Sequence, residues 1–364
     1  MFQFVVAGRA PAFTHAHAGC SFADPIMVMD KLDILSFEDA IKATGHSACT
    51  LLLGNGFSIA QGGGQFTYTS LLEKSGLADD SAIRNVFRIL ATVDFEKVMK
   101  ALGDAAQIEL AYGDDERSTK FREDAAAVRE ALIQAVHVVH PGVHFDIPKA
   151  QRDACAKFLS HFHAVFTLNY DLLLYWVILH AAAKDFQDGF GLGEEVNGFR
   201  TFREDAYCNT YYMHGALHLF ATPELEMQKR ILTNNTIIDD IADTIRQRAQ
   251  LPLFVAEGTA IEKLGRIRSI PYLAHCYQEL SSVKQNLFIF GHAASDNDIH
   301  IYDAICHITS RGFLYAFTSP RLICRKCENA SPDMLNAAKI LNGNTSMPLP
   351  QKCGDDALLE ATQW

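Results

Sequence analysis

The stretch Ala164-Val165-Phe166-Thr167-Leu168-Asn169-Tyr170-Asp171 decides the reading of this chain. Its first five residues form a short apolar run that reads as a buried strand. The run stops at two polar side chains, Asn169 and Asp171, and a helical pattern over Leu172 to Ala183 follows at once. In an open parallel sheet, ligands bind outside the carboxyl ends of the strands. Asn169 and Asp171 therefore stand where such a fold does its chemistry. The same punctuation recurs at Gly54-Asn55-Gly56-Phe57-Ser58 and from Gly291-His292 to Asp298, and Met213-His214-Gly215 closes a fourth apolar run.

Working outward, Cys49 to Leu53 and Asn286 to Phe290 read as strands, with Thr210 to Met213 and Leu253 to Ala256 as shorter ones. Helices are expected at Ser36 to Thr44 with Ser36 as N-cap, from Asp94, over Arg117 to His140, over Ala154 to His163, over Thr236 to Gln250, after Gly258-Thr259 with Lys263 and Arg266, and over Ile299 to Thr309. Pro141 ends the long one. Gly189 to Asp205 is rich in glycine and charge and reads as a loop or flap. Strands alternating with helices predict an α/β fold, a Rossmann-like parallel sheet with helices on both faces and helical insertions around 68–163. The main domain is expected over 29–317. Residues 1–28 are expected to be a disordered tail or an upstream extension of a miscalled start, the natural start falling at Met27 or Met29. After Tyr315 neither period persists, so 318–364 are expected to be an irregular tail: an appendage, a disordered segment or a translated shifted frame.

The 364 residues carry a formal net charge of -11, with 49% hydrophobic residues. An acidic balance disfavours phosphate-driven nucleic-acid binding, and no apolar run approaches the ~18 residues that span a bilayer. Nine scattered cysteines do not form a disulfide framework, which points to reduced thiols in a cytoplasm. Cys324-x-x-Cys327 lacks the second pair that a structural zinc site wants.

Each strand end has two readings. Gly54 and Gly56 let backbone N–H groups approach a phosphate, or they simply make a turn. The third glycine of the dinucleotide fingerprint and the acidic residue about 20 positions on are missing. Asn55 and Ser58 offer hydrogen bonds at that turn. Asn169 and Asp171 are ligand-facing groups or a helix cap with a first-turn acid. His214-Gly215-Ala216-Leu217-His218 holds a general base beside a glycine that admits substrate, or a metal pair at i, i+4 that recruits His292, Asp296, Asp298 or His300, or core histidines. Ser295 and Asp296 cap a helix or hold ribose hydroxyls together with Asn297 and Asp298.

These four segments, in this order, resemble the sirtuin-like NAD-consuming superfamily. Gly54-Asn55-Gly56-Phe57-Ser58 matches its glycine turn, Asn169-Tyr170-Asp171 its Asn-x-Asp, His214-Gly215 its catalytic His-Gly, and Gly291 to Asp298 its late turn on the adenosine side. The likeness runs from about Leu51 to Ile305 and is nearest to a bacterial branch with the Leu-Asn-Tyr-Asp, His-Gly-Ala-Leu-His and Gly-His-x-x-Ser-x-Asn-Asp forms; Pro252 to Thr259 and Ser269 to Leu273 also fit that branch. Cys155, Cys208 and Cys276 lack the spacing of the deacylases' zinc ribbon, so the resemblance implies the other activity of the superfamily, hydrolysis of NAD to nicotinamide and ADP-ribose, as in phage-defence effectors. It implies NAD as substrate, no metal, and control by an activating partner or by homo-oligomerisation. Asn169, Asp171 and His214 would be catalytic. Gly54, Asn55, Gly56, Phe57, Ser58, Tyr170, Gly215, Gly291, His292, Ser295, Asp296, Asn297 and Asp298 would hold the dinucleotide, with Tyr170 and Phe57 walling the site from water. Two other functions fit the same residues: a non-catalytic sensor of NAD or ADP-ribose, and a metal-dependent hydrolase built on His214, His218, His292 and Asp296.

Overall fold

A computed structural model describes residues 3–7, 32–45, 47–61, 68–180, 186–191, 194–233, 236–248, 250–255, 259–284, 286–292, 298–305, 313–318 and 321–326. The chain begins with β1 (Gln3–Ala7) and β2 (Leu32–Ser36), an antiparallel pair, and then α1 (Phe37–Ala43). Next come β3 (Cys49–Leu53) and α2 (Asn55–Ala60). A helical block follows: α3 (Tyr68–Lys74), α4 (Ala82–Ile89), α5 (Phe95–Ala111), α6 (Asp115–Val139) and α7 (Lys149–Leu159). It leads into β4 (Ala164–Thr167) and α8 (Leu173–His180). β5 (Phe199–Thr201), β6 (Thr210–Tyr212), β7 (Leu219–Ala221) and β8 (Met227–Arg230) come before α9 (Ile237–Arg248), α10 (Ala260–Ser269) and α11 (Pro271–Ser282). The described chain closes with β9 (Asn286–Phe290), α12 (Ile299–Ile305), β10 (Phe313–Thr318) and β11 (Arg321–Lys326).

The main sheet runs β11-β10-β9-β3-β4-β6, every pair parallel except β10 with β11. After β3 the chain adds β4 and then β6 on one side; it later returns to lay β9 and then β10 on the other. The order thus reverses at β3, a topological switch point, where α/β sheets leave a crevice at the strand carboxyl ends. All five residues of β3 are buried, as a strand covered on both faces requires. Leu51 and Leu53 face α1, α2, α7 and α8 through Phe37, Phe57, Leu159 and Val177. Leu52 faces the other way, in one core with Ile267, Leu273 and Ile301 of α10, α11 and α12. The expected Rossmann-like α/β fold is the observed one.

Several elements differ from the sequence reading. The expected loop over Gly189 to Asp205 contains β5, which joins β8 and β7 in a separate antiparallel sheet. Three-residue strands carry too little periodicity to stand out. Leu253 and Phe254 form no sheet strand; Phe254 makes an isolated bridge to Gly215. The helix expected from Ala154 starts at Lys149, straight after Pro148, and ends at Leu159. Past Tyr315, where the pattern decays, the backbone still completes β10 and pairs it with β11. Near the amino terminus, Gln3–Ala7 pairs with β2. The Asp94 cap is present, accepting from the Glu96 and Lys97 N–H groups, and Thr259 with Glu262 caps α10 reciprocally. No helix among the described residues is long and apolar enough to cross a membrane.

Candidate active site

The switch point is built from glycines packed on each other. Gly54 N–H donates to Phe290 O at 2.8 Å and Gly56 N–H to Gly291 O at 2.9 Å. A Cβ on Gly56 would lie 2.5 Å from Gly291 Cα, and one on Gly54 would lie 2.7 Å from Gly291 O. Gly291 also has φ +69, a left-handed conformation that favours glycine. The turns after β3 and β9 therefore touch backbone to backbone, which no side chain permits. Gly56→Ala or Gly291→Ala is expected to cost about 1–3 kcal/mol, the usual cost of overpacking, and thermal unfolding would check this; an unchanged midpoint would contradict the close packing.

Asn169 and Asp171 lie at the carboxyl end of β4 beside this turn. Leu168 N–H donates to Leu53 O at 2.9 Å, which ties the end of β4 to that of β3. Asn169 spends both amide hydrogens on the glycine turn, one on Gly54 O at 3.0 Å and one on Ser58 Oγ at 2.9 Å. Ser58 in turn donates to Asp171 Oδ2, and the other carboxylate oxygen accepts Leu173 N–H at 2.9 Å. All three side chains are buried. Asp171 thus both caps the start of α8 and anchors Ser58. The Asn169 amide oxygen accepts from no described residue, so the network fixes it as a rigid acceptor.

His140 supports the same turn, and the sequence reading missed it. Its Nε2 accepts Leu172 N–H at 3.0 Å and its Nδ1–H donates to Pro141 O at 2.8 Å, which sets the tautomer. Burial pushes its pKa down, against the charge of Asp171. Its only sequence signal was a position one residue before the helix-ending proline.

His214 enters from the end of β6. Met213 N–H donates to Thr167 O, Leu217 N–H to Tyr170 O and Val255 N–H to His214 O, at 2.8–2.9 Å, so the His-Gly turn is stitched to the Asn169–Asp171 turn. Gly215, with φ +83, is required by the Leu253 carbonyl, which occupies the place of any Cβ; the contact there is protein backbone rather than the open approach expected for substrate. Burial pushes His214 down to about 3, against the pull of Asp298, so its ring is neutral. Its Nε2 lies 3.2 Å from His300 Nε2. Tyr170 stacks toward His214 with ring centroids 6.3 Å apart and donates to Val255 O at 3.2 Å. Phe57 instead packs into the core under α2, with Leu51, Leu53 and Val177. A helix residue next to Ser58 on the chain points about 100° away from it, which is why the two part company. Asn55 opens α2 and is half-buried.

The late turn contributes His292 and Asp298, while Ser295, Asp296 and Asn297 lie outside the described residues. His292 Nδ1 accepts from the Tyr302 hydroxyl at 2.6 Å, and its Nε2 lies 3.3 Å from Asp298 Oδ2. Lys263 Nζ, buried, lies 2.8 Å from Asp298 Oδ1. Burial works against the Asp298 carboxylate, but the His292 hydrogen bond and the neighbouring His214 and Lys263 outweigh it and hold the group well below the usual carboxylate range. Lys263 and Tyr302 are further residues that sequence spacing did not mark.

His218 is not part of this cluster. The potential metal-ligand atoms that come within 4.8 Å of one another belong to His214, Asp298 and His300. His218 lies wholly buried between Tyr175 and Tyr212, each at 4.9 Å, and neither ring nitrogen has a hydrogen-bond partner among the described residues. The i, i+4 metal pair assumed a helix; Gly215 takes the chain through a left-handed turn and separates the two roles. Burial pushes His218 down to about 3, with Lys229 acting the same way and Asp188 against it. Between about 6.5 and 3 the unfolded chain binds a proton that the folded chain refuses, so stability falls as pH drops through that window. His218→Phe should remove up to about 1.4 kcal/mol of that loss per pH unit. Urea unfolding at pH 7, 6 and 5 would check it, and identical slopes for both proteins would refute it.

The family model described as Domain of unknown function (DUF4917) matches residues 51–327. The chain belongs to the DUF4917 family. The matched span runs from within β3 to the end of β11 and includes all four strand-end turns. No curated protein matches this DUF4917 chain. Among solved structures it is similar to Sir2Tm bound to a propionylated peptide, at 10% identity and a TM-score of 0.32, over 85% of this chain and 100% of that one. It is similar to a Sir2 complex with p53 peptide and NAD+ at 11% identity and a TM-score of 0.32, over the same shares. Likenesses of that size assign no residue a role here.

Proposed function

We propose that this DUF4917 protein binds NAD at the switch point and hydrolyses its N-glycosidic bond to give nicotinamide and ADP-ribose. The observation that carries the reading is the Asn169 amide, locked by Gly54 O and Ser58 Oγ so that only its oxygen is left to accept. An acceptor held rigidly at a strand end suits a ribose hydroxyl or an attacking water. The order of the four motifs supports the choice of NAD.

In the proposed reaction the pyrophosphate lies over the Gly54–Ser58 turn and the nicotinamide ribose lies near Asn169 and His214. The bond from C1′ to the nicotinamide nitrogen breaks, and its electron pair leaves with neutral nicotinamide. Water adds to the resulting oxocarbenium carbon, and His214, neutral at working pH, accepts the proton released. Asp171 acts through Ser58, because both of its oxygens are already taken. The carboxylate of Asp298 stabilises positive charge developing near His214. The adenosine portion is assigned to Gly291 and His292. A phage-defence effector in a bacterial cytoplasm, released by a partner or by self-association, is the setting that the motif resemblance favours.

The test is nicotinamide release from NAD by the full chain, with and without a chelator. Release that survives the chelator supports the reading. NAD binding by calorimetry without release would replace it with a non-catalytic sensor, and release abolished by the chelator would replace it with a metal-dependent hydrolase.

A further inference from the structure

His214 and His300 come from distant parts of the chain, yet their Nε2 atoms face each other at 3.2 Å, with ring centroids 5.4 Å apart. Ligand nitrogens held about 2.0–2.1 Å from a tetrahedral zinc lie roughly 3.3–3.4 Å apart. The two imidazoles are thus already spaced as a ligand pair. Asp298 brings a carboxylate oxygen within 4.8 Å of both, so a modest side-chain rotation would close the triad. Lys263 and His292 contact that carboxylate from outside, as outer partners of metal-bound carboxylates do. His300 is 1% exposed and its Nδ1 has no hydrogen-bond partner among the described residues. Among the described residues its ring is therefore hydrogen-bonded through Nε2 alone.

We propose that His214 Nε2, His300 Nε2 and a carboxylate oxygen of Asp298 form a binding site for a divalent transition-metal ion of the zinc class. Two imidazoles and one carboxylate suit zinc, cobalt or ferrous iron rather than calcium or magnesium, which take all-oxygen shells. A fourth position would fall to water, as in open zinc sites. A bound ion would also occupy the His214 lone pair and oppose its proton transfer, so zinc is expected to inhibit nicotinamide release. That second half rests on the NAD-cleavage reading; the binding half does not.

The experiment takes the full chain stripped of metal and titrates it with Zn2+ by calorimetry and with Co2+ by visible absorption, with Mg2+ as the control and no NAD present. One Zn2+ per chain is expected, together with cobalt bands of a low-coordinate nitrogen and oxygen site and no response to Mg2+. His300→Ala and the polar His300→Asn should both weaken Zn2+ binding by at least about 100-fold, the upper end of what losing even an outer partner costs, while circular dichroism shows the fold retained. No stoichiometric binding by the unmodified chain, or equal affinity in a folded His300 variant, would overturn the site. Zinc binding in a protein that releases no nicotinamide even when stripped of metal would leave the site standing and count against the NAD reading alone.

Discussion

His214→Ala is expected to lower nicotinamide release from NAD by about 10² to 10⁴-fold, the typical contribution of a positioned general base. The ring it removes is neutral, buried and joined to the Asn169 turn through the Leu217 N–H to Tyr170 O bond. Asn169→Ala is expected to match that loss, because it deletes the fixed acceptor and also leaves Gly54 O and Ser58 Oγ without their donor. Asn169→Asp is the sharper variant. It keeps the shape but replaces a donating amide with an accepting carboxylate beside Asp171, so Ser58 faces two acceptors and the turn is repelled. Circular dichroism and a thermal midpoint measured alongside would separate loss of chemistry from loss of fold. Full turnover in a folded His214→Ala protein would remove His214 from the mechanism.

The largest stability effect is expected outside this site, at Asp240. Arg230 at the end of β8 and Asp240 on α9 form an ion pair at 3.1 Å, with side chains only 10% and 3% exposed. Arg230 also donates to Gly198 O at 2.7 Å and to Thr233 Oγ1 at 3.1 Å, and its guanidinium lies over the Phe199 ring. Asp240 accepts from Thr233 N–H at 2.7 Å as well. The pair pins the small antiparallel sheet to α9. Removing one member of a buried pair leaves an uncompensated charge and costs about 3–5 kcal/mol. Asp240→Ala should therefore lower the melting temperature by on the order of 10 °C. The double variant Asp240→Ala with Arg230→Met should recover much of that loss, since replacing both members by apolar groups is often close to neutral. A single variant within about 1 kcal/mol of the parent would show that solvent reaches the pair.

What could be read from the sequence was local. β3, β4 and β9 are five-residue or four-residue apolar runs ended by glycine or polar residues, and a buried parallel strand leaves that mark without help from its neighbours. The caps at Asp94 and Thr259 are legible for the same reason, since the donor and acceptor lie within three residues. Asn169, Asp171 and His214 stand out in the sequence because they follow such runs directly. β5, β7 and β8 were missed or blurred because three or four residues cannot display a period, and their pairing partners supply the hydrogen bonds that define them. β10 and β11 are likewise set by backbone pairing to β9 and to each other rather than by pattern.

The sequence by itself determined the class of fold and the strand ends at which polar groups collect, because strand period, helix period and turn chemistry are all written within a few residues of one another. Only the tertiary structure decided what those groups do to each other. Gly54 and Gly56 turned out to be required by Gly291, some 235 residues away, because two turns meet at the switch point without room for a Cβ. Ser58 reaches Asp171 across 113 residues, and His214 reaches His300 across 86. His218, four residues from His214, fell into an aromatic slot instead. Hydrogen bonds, charge pairs and burial act through space over a few ångströms, and the chain places such neighbours at separations that no local pattern records.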